Sequence, residues 1–187
     1  REWTALYESK SGERGIFNRQ SAKVKAAENG RRETDYEFGC NPCSEIILRP
    51  YQFCNLTEVV CRDTDDIEKL KDKVRLSTIL GTFQSTLTKF KYLRKVWKEN
   101  TEDERLLGVS LTGILDCPVL SPDNSNLKFN LQLLKEVAVE TNKKIAKDLG
   151  IPQSTAITCI KPSGTVSQLV DSASGIHARH SDYYIRT

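Results

Sequence analysis

Residues 41–45 read Asn-Pro-Cys-Ser-Glu, placing an amide (Asn41), a thiol (Cys43) and a carboxylate (Glu45) at alternate positions. A second thiol, Cys54, follows eleven positions after Cys43, inside Phe-Cys-Asn-Leu-Thr-Glu at 53–58. If 41–45 is extended, alternate side chains share a face, so the three groups point the same way. Pro42 cannot donate a backbone hydrogen bond, which suits a loop or an edge pushed into a cavity better than a central strand. The chemistry on offer is complementary. An amide orients a hydroxyl and a carboxylate takes its proton. A sulfur acts as a nucleophile or, after loss of one electron, as a radical that removes a hydrogen atom.

A second candidate site falls at 155–170. The apolar, β-branched run Ala156-Ile157-Thr158-Cys159-Ile160 leads into Lys161-Pro162-Ser163-Gly164-Thr165-Val166-Ser167, then Gln168-Leu169-Val170. A strand, a small-residue turn and a helix start point free backbone amides at an anion. Gly164 permits close approach, and the hydroxyls of Ser163, Thr165 and Ser167 add donors. Pro-Ser-Gly-Thr also makes ordinary turns, and on the residues alone both readings stand. His177 and His180 have a spacing that can bind a metal on a helix, but no third ligand is apparent, so a hydrogen-bonding or substrate-side role suits them better.

The cysteines admit a reading from another class. Cys40, Cys43, Cys54 and Cys61 form a potential four-thiolate zinc module, although six residues rather than two separate the second pair. Zinc would leave Asn41, Glu45 and the 163–167 turn without a purpose. Thioredoxin-like exchange through Cys40 and Cys43 lacks the required flanking strand and helix.

The elements that must position these groups are legible as periods. Trp3, Leu6 and Tyr7 share a helical face, and the glycine- and charge-rich run at 9–19 reads as a surface loop. Residues 20–37 are polar, with Lys23, Lys25, Arg31 and Arg32, and read as a solvated connection. From 63 to 100, Ile67, Leu70, Val74, Leu80, Phe83, Leu87, Phe90, Leu93 and Trp97 recur every three or four residues as one apolar stripe, with Gly81 as a bend or break. Asp63 or Thr64 can cap its start. Thr101 to Glu104 has a capping-box pattern that starts a further turn. Residues 106–118 predict a buried strand entering a helix, with Cys117 as a small buried hydrophobe. A turn at 121–126 precedes a helix over 127–149 with Leu131, Leu134, Ala138, Ile145 and Leu149 inward, stopped by Gly150 and Pro152.

Composition bounds the class. The 187 residues suffice for one substantial core. The charged fraction of 28 % and mean hydropathy of −0.47 fit a soluble globular piece in the cytoplasm, and a net charge of +3 is too small to argue for nucleic acid. No secretory leader and no apolar run long enough to span a membrane is present. Six cysteines without regular scaffold spacing favour a reducing compartment.

The two cysteine motifs with their spacing, the runs at 9–19 and 106–118, the Pro162–Ser167 turn and the stretch 172–187, in this order, resemble the ribonucleotide reductases. More narrowly they resemble the adenosylcobalamin-dependent, monomeric ribonucleoside-triphosphate reductases. The resemblance implies an α/β fold, part of a ten-stranded barrel with the cysteine loop inside it. Residues 1–187 would be an internal fragment of that catalytic domain, in keeping with the absence of methionine. It implies that Cys43 becomes the thiyl radical that abstracts the ribose 3′ hydrogen, that Glu45 deprotonates the 3′ hydroxyl and that Asn41 holds ribose hydroxyls. Cys54 becomes one half of a reducing thiol pair whose partner lies upstream. Pro162, Ser163, Gly164, Thr165, Val166 and Ser167 bind substrate phosphates. Adenosylcobalamin, a ribonucleoside triphosphate and a thioredoxin-type reductant are the implied cofactor, substrate and partner, with no metal. The motif spacing and the run at 108–117 favour cobalamin, and an iron-dependent ribonucleoside-diphosphate reductase large subunit is the neighbouring alternative.

Overall fold

The computed structural model describes residues 1–11, 15–179, 181–183 and 185. Helix α1 (Glu2–Ser9) ends at Lys10 in the left-handed region and buries none of its residues, so Trp3 and Tyr7 stand exposed. Part of the expected loop at 9–19, Gly12 to Arg14, lies outside the described residues. Helix α2 (Arg19–Ala27) starts where Asn18 Oδ1 accepts the Ser21 N–H at 2.9 Å, one of the donors a helix start leaves open. Its Ala22 and Ala26 pack on Phe38. The stretch 20–37 is therefore not a solvated connection. Alanines too small to register as an apolar stripe face a core, and Arg32 is buried.

Strands β1 (Gly39–Cys40) and β2 (Ile47–Leu48) pair antiparallel as a hairpin, Gly39 opposite Leu48 and Cys40 opposite Ile47. The next elements are β3 (Asn55–Val60), α3 (Ile67–Gln84), α4 (Lys95–Glu104), β4 (Leu107–Thr112), α5 (Leu127–Asp148) and the single turn α6 (Val166–Leu169). β3 and β4 are parallel from Asn55↔Leu107 to Val60↔Thr112, and the chain between them crosses through α3 and α4, as parallel neighbours require. Residues 156–159 run along the other edge of β4. Leu107 and Val109 donate to Ala156 O and Ile157 O at 2.9 Å each, and Cys159 N–H donates to Val109 O at 3.1 Å. β4 is thus central and every one of its residues is buried, which explains a sequence apolar or small throughout instead of alternating. The main core joins Val59, Val109 and Leu111 of the sheet to Leu70 and Val74 of α3, to Leu134 and Ala138 of α5, and to Ile157.

The single stripe over 63–100 is corrected. α3, capped by Asp66, breaks after Gln84 and not at Gly81, which stays inside the helix. Its inward face runs Leu70, Val74, Ser77, Thr78, Gly81, Thr82, while Leu80, Phe83 and Leu87 are exposed. Thr78 and Thr82 return their hydroxyls to Val74 O and Thr78 O at 2.7 and 2.8 Å, so they enter the core with their polarity satisfied. A hydrophobic period cannot register such a face. Thr101 to Glu104 forms the last turn of α4 rather than a start, followed by Arg105 in the left-handed region. On α5 the inward residues are Asn130, Leu134, Ala138, Asn142 and Ala146, with Leu131 and Leu149 exposed. Asn142 donates to Thr82 Oγ1 and Ser154 Oγ at 3.0 Å each, which pins α5 to α3. The strand expected within 106–118 and the buried Cys117 are both observed, followed by 3-10 turns at Ile114–Asp116 and Pro118–Leu120.

One ionic cluster holds the hairpin against this frame. Glu104, with its side chain 1 % exposed, accepts Arg32 Nε and Nη2 at 2.8 Å each, and Arg49 Nη2 lies at 3.1 Å from it. Gln52 also donates to it. A bidentate guanidinium–carboxylate pair is the arrangement that makes such burial tolerable.

Candidate active site

Residues 41–46 close the β1–β2 hairpin as a turn, not as the extended segment expected. Ser44 N–H donates to Asn41 O at 2.9 Å, Ile46 N–H donates to Asn41 Oδ1 at 3.0 Å, and Ser44 sits at φ 64°. The Asn41 side chain therefore staples the turn from inside, which an Asn before Pro does readily. Cys43 is exposed at the tip. Glu45 turns inward, with its side chain 7 % exposed.

Glu45 Oε1 accepts Lys161 Nζ at 2.6 Å, joining the hairpin to the head of the 161–167 turn, 116 positions away. Burial alone would raise the Glu45 carboxyl, but Lys161 and the neighbouring Asn41 side chain hold it below its ordinary value. The hydrogen bond to Glu45 in turn raises Lys161. The pair is ionised across neutral pH.

Behind it, a cavity of about 150 Å³ is lined by Glu45, Cys54 and Cys159 together with Arg32, Asn29 and Thr158. Both sulfurs crowd Gly108 of β4, where a Cβ would lie 3.2 Å from Cys54 Sγ and 3.1 Å from Cys159 Sγ. Burial pushes both thiols up to about 12, so each is a neutral S–H that can give a hydrogen atom or a proton.

The 161–167 turn is anchored on β4. Lys161 N–H donates to Ser110 Oγ at 2.8 Å, and Gly175 N–H donates to Thr112 Oγ1 at 2.9 Å. Ser174 Oγ donates to Pro162 O at 2.8 Å and lies 3.0 Å from Ser163 O. Pro162, Thr165 and Val166 are exposed, Gly164 is half-buried, and Ser163 is buried at φ 52° with its Oγ unpartnered. Ser167 is fully buried and its hydroxyl donates back to Ser163 O, so it braces the turn and is not a free donor as expected. The expected strand before the turn is the edge segment beside β4. His177 is exposed and His180 lies outside the described residues.

Sequence reasoning missed Lys161 and Cys159 as site residues. A signal existed for the first: Lys161 is the one charged residue in 155–170. The zinc reading fails on geometry. Cys61 is buried in the core near Cys117 while Cys43 stands at the exposed tip, and no metal-holding group of three or more His, Cys, Asp or Glu occurs among the described residues.

The arrangement has a solved counterpart. A B12-dependent (class II) ribonucleotide reductase superposes on 80 % of this chain with a TM-score of 0.62 at 24 % identity, using 23 % of its own length. The fold is accordingly the α/β fold of a ribonucleotide reductase. An adenosylcobalamin-dependent ribonucleoside-triphosphate reductase of Lacticaseibacillus paracasei is 27 % identical over 97 % of this chain and 28 % of its own length. That of Euglena gracilis is 29 % identical over 94 % of the chain and 24 % of its own length. A Dictyostelium discoideum protein named as a probable member of the same group is 32 % identical over 82 % of the chain and 20 % of its own length. By sequence the chain is similar to these adenosylcobalamin-dependent reductases, and it spans about a quarter of the length of the curated relatives it matches. No protein-family model matches it.

Proposed function

We propose that this chain is a segment of the catalytic barrel of an adenosylcobalamin-dependent ribonucleoside-triphosphate reductase, with the hairpin tip inside a ten-stranded barrel. The observation that carries the reading is the Glu45–Lys161 pair at 2.6 Å, which brings the thiol loop and the phosphate-type turn into one site. The Lacticaseibacillus and Euglena relatives act on ribonucleoside triphosphates by name.

Bound adenosylcobalamin supplies the one-electron chemistry that side chains lack. What this chain offers to it is an exposed sulfur, Cys43 at the tip of a short hairpin. As a thiyl radical, Cys43 takes the ribose 3′ hydrogen and becomes a thiol again. Glu45 takes the 3′ hydroxyl proton as general base, and the 2′ hydroxyl leaves as water. Cys54 and a second thiol supply two electrons and two protons as they become a disulfide, one proton leaving with the 2′ hydroxyl as water and the other ending at C2′. Glu45 returns its proton to O3′, Cys43 returns the hydrogen atom to C3′ and is a thiyl again, and a thioredoxin-type reductant restores the dithiol. Asn41 shapes the loop that sets the Cys43-to-Glu45 spacing. Residues 162–166 hold the phosphates, and Ser167 stiffens the turn beneath them, so that the ribose meets the sulfur in one orientation. Among the described residues no helix is long and apolar enough to cross a membrane.

The test uses the full-length protein with adenosylcobalamin, a dithiol reductant and either a ribonucleoside triphosphate or diphosphate, Cys43→Ala beside wild type, with zinc content measured on the same samples. Cobalamin-dependent deoxynucleotide formation, preferring the triphosphate and falling on the order of 10³-fold or more in the variant, is the expected result. Undiminished activity of Cys43→Ala, or stoichiometric zinc without activity, overturns it.

A further inference from the structure

Lys161 has no part in this radical chemistry, yet it makes the shortest contact between the two halves of the site. Its backbone is fixed before its side chain begins. The N–H is bound to Ser110 Oγ in fully buried β4, Pro162 follows, and Gly175 packs so tightly that a Cβ there would meet Lys161 O at 2.7 Å. From that root the ammonium reaches Glu45 Oε1, while Glu45 Oε2 is buried with no hydrogen bond closed to it, the Asn41 side chain lying beside the carboxylate. A buried carboxylate oxygen without a donor costs desolvation that folding does not recover. At the edge of a cavity holding Cys54 and Cys159, such an oxygen is an open acceptor.

We propose that Lys161 is a positioning residue that divides the work of the Glu45 carboxylate: its ammonium holds Oε1 in place and leaves Oε2 as the acceptor for a substrate ribose hydroxyl. The assignment rests on the reductase reading and deepens it. A carboxylate tethered at one oxygen cannot rotate both away from the substrate, so the base is aimed before the ribose arrives. The tether also sets the protonation state. The titratable and charged groups that face Glu45 are Lys161 from the turn, Cys54 just before β3, Cys159 on the edge segment and, lining the same cavity, Arg32 and Lys25, with Cys43 on its own loop beside Lys161. Of the three cations only Lys161 bonds the carboxylate, since Arg32 is paired with Glu104 and Lys25 with Glu28. Removing it leaves burial to dominate, so Glu45 holds its proton to higher pH.

The experiment compares wild type, Lys161→Met and Lys161→Arg in the full-length protein. One readout is the pH titration of the Glu45 carboxyl by difference infrared spectroscopy, its band identified by its loss in Glu45→Gln. The other is the pH profile of kcat and KM for the ribonucleoside triphosphate. In Lys161→Met the protonated carboxyl band persists to higher pH, the acidic limb of kcat moves the same way, and kcat falls on the order of 10–100-fold with KM little changed. Lys161→Arg keeps the wild-type titration and restores most of kcat. An active wild type with Lys161→Met matching it in titration and kcat overturns the role of Lys161. A raised KM with unchanged kcat also overturns it, in favour of direct phosphate binding. A wild type that reduces no nucleotide while the Glu45 band still shifts overturns the reductase reading, and the task given to Oε2 with it.

Discussion

At the scale of single residues, the six thiols divide by environment rather than by sequence. Cys43 is exposed and Cys40 is half-buried with its Sγ 3.6 Å from Ser44 Oγ. Burial pushes Cys54, Cys61 and Cys159 from 9.0 up to about 12. Because the thiolate is the form that alkylates, iodoacetamide at neutral pH should label Cys43 and Cys40 and spare Cys54, Cys61, Cys159 and Cys117, which burial also raises, until denaturant is added. Peptide mass spectrometry after timed labelling checks this, and Cys54 labelling as fast as Cys43 would contradict the burial of the Cys54 thiol. The raised thiols also set a sign. A group that holds its proton more tightly when folded stabilises the fold below its ordinary value, and that contribution is lost as pH climbs from 9.0 towards about 12. Glu45 works in the opposite sense. Held below its ordinary value, it contributes above that value and loses the contribution as acid protonates it.

At the scale of elements, β4 and its exits decide where the site can be. Two glycines show how tightly. At Gly113, just past β4, φ is 70° and a Cβ would lie 2.6 Å from the backbone oxygen of Cys61, which cannot yield. At Gly108 the tightest contact, 2.5 Å, is to the end of the Leu56 side chain, which can rotate, and the next are the sulfurs of Cys159 and Cys54. Gly113→Ala should therefore cost about 2–4 kcal/mol, combining left-handed strain with a backbone clash. Gly108→Ala should cost about 1–2 kcal/mol and alter the rate at which Cys54 and Cys159 react. Urea denaturation of the two variants decides between them, and equal losses would mean that the Leu56 side of β4 is as rigid as the Cys61 side.

At the scale of the whole molecule, the hairpin is held to the α/β frame by charge. Arg32 and Arg49, with side chains 3 % and 5 % exposed, converge on Glu104 at the end of α4, and Asp103 takes Arg49 Nη1 at 2.6 Å. Glu104→Ala leaves the buried Arg32 guanidinium without its carboxylate, while Arg49 keeps Asp103, and should cost about 3–5 kcal/mol, read as a fall in the urea midpoint. It should also loosen the hairpin, with faster proteolytic cleavage near 41–46 under native conditions. A variant of wild-type stability would show that water reaches this cluster.

Local patterns determined what local physics controls. The turn residues at 121–126 and Gly150 bound a helix that the structure places at Leu127–Asp148, and the apolar run at 106–118 announced a strand buried on both faces. The residue types at 41–45, 54 and 161–167 raised the expectation of thiol, carboxylate and anion-binding chemistry, and their order carried the resemblance to the reductases on which the proposed function rests. Tertiary structure alone decided the rest, because the deciding contacts join residues far apart in the chain. The inward face of α3 passes through threonines that satisfy their own hydroxyls, which no hydrophobic period marks. Arg32 reads as one of several surface cations until Glu104, 72 positions away, pairs with it. Lys161 reads as a turn residue until folding sets its ammonium on Glu45. The energy of a charge depends on what folding brings beside it in a medium of low dielectric constant, and that is a property of the assembled fold.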